Sequence, residues 1–174
     1  MVKIDRNTIK ISVIGGNRCS TEVFKTAYEV GKAIAKNNAI LVCGGLTGVM
    51  EAACKGAKEA GGTTIGIIPG DDENSANKYV DIVIPTGLGY ARNVLVVKTG
   101  HCVIAVNGSF GTLSEIAYAL SFGIPVIGLE TWKLEPYCVV VEEENRQKII
   151  PAKTPEEAAR IAIQKAKEVL GIPF

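Results

Sequence analysis

Three stretches of this sequence place small residues at the ends of short apolar runs: Val13-Ile14-Gly15-Gly16, Val42-Cys43-Gly44-Gly45, and Ala105-Val106-Asn107-Gly108-Ser109-Phe110-Gly111-Thr112. Glycine removes side-chain bulk and lets a ligand approach backbone N–H groups, and a helix starting just after it adds partial positive charge. One Gly pair is an ordinary turn signal. Three at the same edge of one sheet make an anion cradle, with a phosphate as its natural occupant. The third stretch is the richest. Gly108 and Gly111 admit a phosphate closely, Ser109 and Thr112 offer hydroxyls, and Glu115 brings a carboxylate into the first turn of the helix that follows. The same residues also read as a tight strand–helix turn, with Thr112 as cap and Glu115 as its capping-box partner. Arg92 follows Gly87-Leu88-Gly89-Tyr90 and suits a bidentate contact with phosphate or carboxylate. As a mere helix-start charge it would oppose the helix dipole. Arg18 reads as a solvated loop charge, His101 as an ordinary turn histidine, and Trp132 as a packing or subunit-contact residue.

These residues need a frame that brings strand ends together, and the rest of the chain supplies one. Short β-rich runs at 9–14, 39–43, 63–68, 81–84, 102–106 and 125–129 alternate with helical periodicity at 20–36, 46–60, 90–99 (weaker) and 111–121. Polar loops fall at 71–78 and 85–89. Residues 130–150 are the hardest to read, with strand pieces expected at 138–141 and 148–150. Thr154 and Glu157 form a capping box that opens a helix running to Gly171. Continuously apolar strands joined by crossover helices predict a parallel sheet covered on both faces. The fold class is therefore α/β: a Rossmann-like, doubly wound parallel sheet in three α-β-α layers, forming one domain over 1–174. In such sheets ligands bind beyond the carboxyl ends of the strands.

Composition narrows the partners. The chain has 174 residues, 47% hydrophobic and 21% charged, with a net charge of +1, which describes a globular domain and offers no basic surface for nucleic acid. The five cysteines, Cys19, Cys43, Cys54, Cys102 and Cys138, lack CxxC spacing, and His101 is the only histidine, so no metal site is expected. Free thiols without a signal peptide, and no apolar run of about 20 residues, predict a cytoplasmic protein that does not enter a membrane.

Gly44-Gly45-Leu46-Thr47-Gly48-Val49-Met50, then Arg92-Asn93, then Gly108-Ser109-Phe110-Gly111-Thr112-Leu113-Ser114-Glu115 resemble the Lonely Guy (LOG) superfamily, long labelled lysine decarboxylase. The likeness runs from about Lys10 to Leu129. It is nearest to the short, single-domain branch that includes the molybdenum cofactor carrier proteins. The resemblance implies a phosphoribohydrolase that cleaves the N-glycosidic bond of a nucleoside 5′-monophosphate, with Arg92 and Glu115 as the catalytic pair. Gly108, Ser109, Gly111 and Thr112 would hold the 5′-phosphate. Gly44, Gly45, Thr47, Gly48 and Met50 would line the ribose and base side, with Gly15, Gly16 and Asn93 completing the nucleotide site. The branch equally implies a non-catalytic carrier of a nucleotide or a molybdopterin-type cofactor. Two departures bear on this choice: Asn107-Gly108-Ser109 replaces PGG, and Tyr90-Ala91-Arg92-Asn93 replaces the Met-x-x-Arg-Lys form. A decarboxylase is excluded, because no lysine stands in a Schiff-base context. No cofactor is required in either reading; the expected ligand is an AMP-like nucleotide or phosphate. The resemblance also implies a homodimer or larger, with the 90–99 helix at the contact.

Overall fold

A computed structural model describes residues 5, 7–134 and 148–173. Its elements run β1 (Lys10–Gly15), α1 (Thr21–Lys36), β2 (Ile40–Cys43), α2 (Val49–Glu59), β3 (Thr64–Ile68), β4 (Ile82–Pro85), α3 (Asn93–Thr99), β5 (Cys102–Val106), α4 (Phe110–Ser121), β6 (Val126–Leu129), β7 (Ile149–Pro151) and α5 (Pro155–Leu170). The seven strands form one sheet in the order β4-β3-β2-β1-β5-β6-β7, and every neighbouring pair is parallel. The chain winds outward from β1 to β4, then returns to β5 on the other side of β1. The β1/β5 boundary is thus the switch point of a doubly wound sheet, as the alternation of runs and helices predicts.

The central strands carry side chains that are buried on both faces: all of β2 and β5, and all but the ends of β1. One core lies under α1, α2 and α5, built from residues such as Ile11, Val30, Leu41, Ala53 and Ala162. The other lies under α3 and α4, around Ile14, Val42, Val96, Val103 and Ile116. Helices α1 and α2 approach to backbone contact. A Cβ added at Gly31 would stand 1.9 Å from the Ala53 carbonyl oxygen, and one added at Gly56 would stand 1.9 Å from that of Tyr28. The two glycines let the helices close on each other, which fixes α2 and the loop that precedes it.

Several boundaries differ from the sequence-based expectation. Helix α2 begins at Val49 and not at residue 46, because Leu46-Thr47-Gly48 forms a turn ending in a positive φ of 67° at Gly48. The 90–99 segment splits into a 3-10 turn, Gly89–Arg92, followed by α3. The expected strand piece at 148–150 is the edge strand β7, while the piece at 138–141 lies outside the described residues. At α5 the Thr154 side chain accepts from the Glu157 N–H as expected, but the Glu157 carboxylate accepts from Lys153 and not from Thr154. Among the described residues, no helix is long and apolar enough to cross a membrane.

Candidate functional site

A cavity of about 760 Å³ opens at the carboxyl ends of the strands, beside the β1/β5 switch point. Of the residues singled out in the sequence, Gly15, Gly44, Met50, Arg92, Asn93, Ser109, Gly111, Thr112 and Glu115 line it. Gly16, Gly45, Thr47, Gly48 and Gly108 do not.

These five residues shape the walls. The Gly16 carbonyl accepts from the Val49 N–H at 3.0 Å, and Thr47 Oγ1 donates to the Asn17 carbonyl at 2.9 Å. One N–H at the N-terminus of α2, that of Val49, is therefore taken by the chain's own loop after β1. At Gly48 a Cβ would fall 2.4 Å from the Gly16 oxygen; at Gly45, 2.6 Å from Ile68. Gly108 has φ 127°, and a Cβ there would overlap the Thr112 side chain at 2.5 Å.

The N-terminus of α4 is arranged differently. Ser109 is the N-cap, and its own N–H donates to Thr112 Oγ1 at 3.3 Å. This corrects the reading of Thr112 as cap. It also places Glu115 in the second turn of α4, because the helix starts at Phe110. Backbone bonding within α4 begins with the Leu113 N–H to the Ser109 carbonyl at 2.9 Å. Ser109 and Thr112 close a reciprocal capping box, so the Thr112 N–H is covered by the Ser109 side chain, while the N–H groups of Phe110 and Gly111 lack carbonyl partners within the helix, the condition for anion binding. A Cβ added at Gly111 would meet nothing within 4 Å, so the space before this helix end is open.

Below it lie two buried ionisable groups. Arg92 is 7% exposed and Glu115 6%. Arg92 Nη2 donates to the Gly44 carbonyl at 3.1 Å, and Nη1 donates to Asn93 Oδ1. Gly44 is glycine for this reason: a Cβ would stand 2.5 Å from Arg92 Nη2. Asn93 in turn donates to Ser114 Oγ at 3.1 Å, and Ser114 donates to the Gly111 carbonyl at 2.7 Å. One hydrogen-bonded chain therefore ties Arg92 to the first turns of α4. Arg92 Nε is buried with no partner among the described residues. Burial lowers the Arg92 pKa from its ordinary value, an effect that Glu115 and Cys43 oppose. Burial pushes Glu115 up to about 8, against the pull of Arg92. No ion pair joins the two, and the ion pairs of the described residues, Lys32–Glu29, Lys58–Asp81 and Lys165–Glu168, are all solvent-accessible. At neutral pH Glu115 is thus mostly a neutral acid while Arg92 stays charged. The pocket floor carries net positive charge beneath an open helix N-terminus.

Sequence reading missed Ser114, Asn17, Tyr90, Phe110 and Pro69 as members of the site region. Ser114 lay within view, one residue before Glu115, but only the α3–α4 packing reveals its link to Asn93. Other expectations fall elsewhere. Arg18 is not among the lining residues. His101 accepts the Lys10 N–H on Nδ1 at 3.2 Å and so braces β1, and burial lowers its pKa. Trp132 packs on the second core, and its indole donates to the Ser109 carbonyl at 3.3 Å. Cys43 and Cys54 are buried with their sulfurs 3.4 Å apart. No cluster of three or more potential metal ligands occurs among the described residues.

Comparison with known proteins agrees with this architecture. The sequence pattern described as the SLOG cluster4 family matches residues 8–159. The structure of the molybdenum cofactor binding protein from the phototrophic bacterium Rippkaea orientalis superposes with a TM-score of 0.82 at 36% identity, covering 92% of this chain and 98% of that one. The molybdenum cofactor carrier protein of Chlamydomonas reinhardtii superposes with a TM-score of 0.78 at 34% identity, covering 91% and 98%. A cytokinin riboside 5′-monophosphate phosphoribohydrolase of Mycobacterium tuberculosis is 30% identical over 120 residues, 64% of each chain.

Proposed function

The chain belongs to the SLOG cluster4 family, and on that premise we propose that it binds a phosphorylated, nucleotide-like small molecule in the β1/β5 cavity and acts as its carrier. The observation that supports this best is the open N-terminus of α4 above a buried guanidinium. An anion placed there accepts from the Phe110 and Gly111 N–H groups and faces Arg92, whose charge Glu115 does not cancel at neutral pH. Arg92 itself is anchored on Gly44 and Asn93, so it contributes field and shape more than a free, bidentate clamp. The proteins of similar structure named for the molybdenum cofactor favour a phosphorylated pterin as cargo; the phosphoribohydrolase relative favours a nucleoside monophosphate.

One observation favours a second reading, hydrolysis. Glu115 lines the cavity as a buried carboxyl lifted to about 8, which suits a general acid that protonates a departing base. In that reaction the C–N glycosidic bond breaks, water supplies the hydroxyl to the sugar carbon, and the base leaves with a proton. Incubation with a panel of nucleoside monophosphates separates the two readings, with free base read by chromatography and binding by thermal shift. A carrier is stabilised by a phosphorylated ligand and releases no base. A hydrolase releases base, and Glu115→Gln lowers that rate by about 10²–10⁴-fold with binding retained. Absence of stabilisation by any nucleotide, pterin phosphate or inorganic phosphate defeats both readings.

We also infer a homodimer or larger assembly. Helix α3 turns Asn93, Val96 and Val97 inward and leaves Leu95 exposed, and α4 exposes Tyr118 and Phe122 beside it. Light scattering tests this, and a monomer at high concentration rejects it.

A further inference from the structure

Two aromatic side chains stand at the cavity almost fully in solvent: Tyr90 is 85% exposed and Phe110 81%. Large apolar rings left in water are unfavourable and mark binding surfaces when they share a concave site. Both are held on braced backbone. Tyr90 lies in the 3-10 turn Gly89–Arg92, between Gly89, whose N–H donates to the Pro69 carbonyl at 3.0 Å, and the anchored Arg92. Phe110 is the first residue of α4. Its ring faces Trp132 with centroids 6.1 Å apart, and the Trp132 indole holds the Ser109 carbonyl. Tyr90 reaches the cavity from the β4 side of the switch point and Phe110 from the β5 side. Beside Phe110, the position a Cβ of Gly111 would take is empty.

We propose that Tyr90 and Phe110 grip the planar heteroaromatic ring of the ligand whose phosphate rests on the N-terminus of α4. This rests on the phosphate-binding reading above and names what the other end of the molecule is: a fused nitrogen heterocycle, purine or pterin. Leu46, Met50 and Pro69 give the same cavity apolar wall for a ring and little for an extended polar chain. Recognition by ring faces selects flat heterocycles while tolerating differences at their edges, because every such ring presents a π-face.

The chain's single tryptophan, Trp132, lies next to Phe110 and reports on the site. Calorimetric titrations of the full chain with ribose 5-phosphate, AMP and 6-hydroxymethylpterin phosphate, with Trp132 emission read alongside, test the proposal. In the wild type AMP or the pterin phosphate should bind about 5- to 150-fold more tightly than ribose 5-phosphate, the range of one stacked ring, and should change Trp132 emission. Phe110→Ala and Tyr90→Ala should each lose that preference and leave ribose 5-phosphate affinity unchanged, and Phe110→Tyr should keep it. A preference for AMP marks the purine source and a preference for the pterin phosphate the other; either supports the proposal. Equal affinity of all three ligands in the wild type overturns it while the phosphate site stands. Binding of none overturns the phosphate-site reading and this one together. Should the alanine variants change the oligomeric state and keep the ring preference, the rings are a subunit contact and the proposal is wrong. If an alanine variant does not fold, Tyr90→Leu or Phe110→Leu removes the aromatic face in its place.

Discussion

Two helix N-termini meet at the same edge of the sheet and share a glycine-rich approach, yet they are built for different ends. At α2 the protein's own loop takes one helix N–H and packs tightly against the glycines. The Gly16 carbonyl accepts from Val49, Thr47 bonds Asn17, and the glycines at 44, 45 and 48 leave no room for a Cβ against Arg92, Ile68 and Gly16. At α4 Gly111 could carry a side chain without touching anything within 4 Å. Glycine at the first site is a steric requirement of the fold; at the second, Gly108 is one as well and Gly111 leaves the cavity side of α4 clear. Glycine density at a strand end therefore does not by itself locate a ligand. What differs between the two is space: tight packing around the glycines before α2, and a clear position at Gly111 in α4.

The largest effect should come from α2. Gly48→Val places a β-branched side chain at φ 67° with its Cβ 2.4 Å from a carbonyl oxygen. Strain and overlap together should cost about 4 kcal/mol or more, which lowers Tm by roughly 8–16 °C in a chain of this size. A thermal melt within 2–3 °C of wild type would break the contrast between the two termini.

A smaller change, of opposite sign, is expected at α4. Glu115 is lifted in the fold to about 8, well above its unfolded carboxyl value. Between these two values the native state holds a proton that the unfolded state has released. Stability therefore falls as pH rises from about 4.5 to about 8 and is level beyond that. Glu115→Gln removes this loss. Even part of the shift is worth about 2 kcal/mol, so the variant should melt several degrees above wild type at pH 8 and level with it at pH 4.5. A difference in Tm that is equal at both pH values would show that the carboxyl titrates normally.

The smallest effect on stability should be that of Gly111→Val. With space for the new side chain, its Tm should stay within about 2 °C of wild type. Its binding should change most, because the side chain would enter the region proposed for the anion: stabilisation by AMP or inorganic phosphate should be lost. Retained stabilisation would move the anion away from α4 and erase the functional half of the comparison.

Much of the frame was legible in the chain. Apolar runs such as those around Leu41-Val42-Cys43 and Val103-Ile104-Ala105 mark strands buried on both faces, and helical periodicity between them demands parallel crossovers. Arg92, Glu115 and the glycine loops were visible by type and spacing, since residue chemistry and strand-end position are local properties. The roles within that set were not. The tight approach before α2 and the clear position in α4 differ by contacts of Gly48 with Gly16 and of Gly45 with Ile68, residues 32 and 23 positions apart in sequence. The span from Arg92 through Asn93 and Ser114 to Gly111 exists only once α3 and α4 pack side by side. The elevation of Glu115 depends on burial by several elements together. Sequence alone determined which groups are present and which edge of the sheet they share, because covalent order and side-chain period set both. Tertiary structure decided which glycines have no room for a side chain, which arginine donors are taken and whether a carboxyl keeps its proton, because desolvation and steric exclusion arise from neighbours that the chain brings together only on folding.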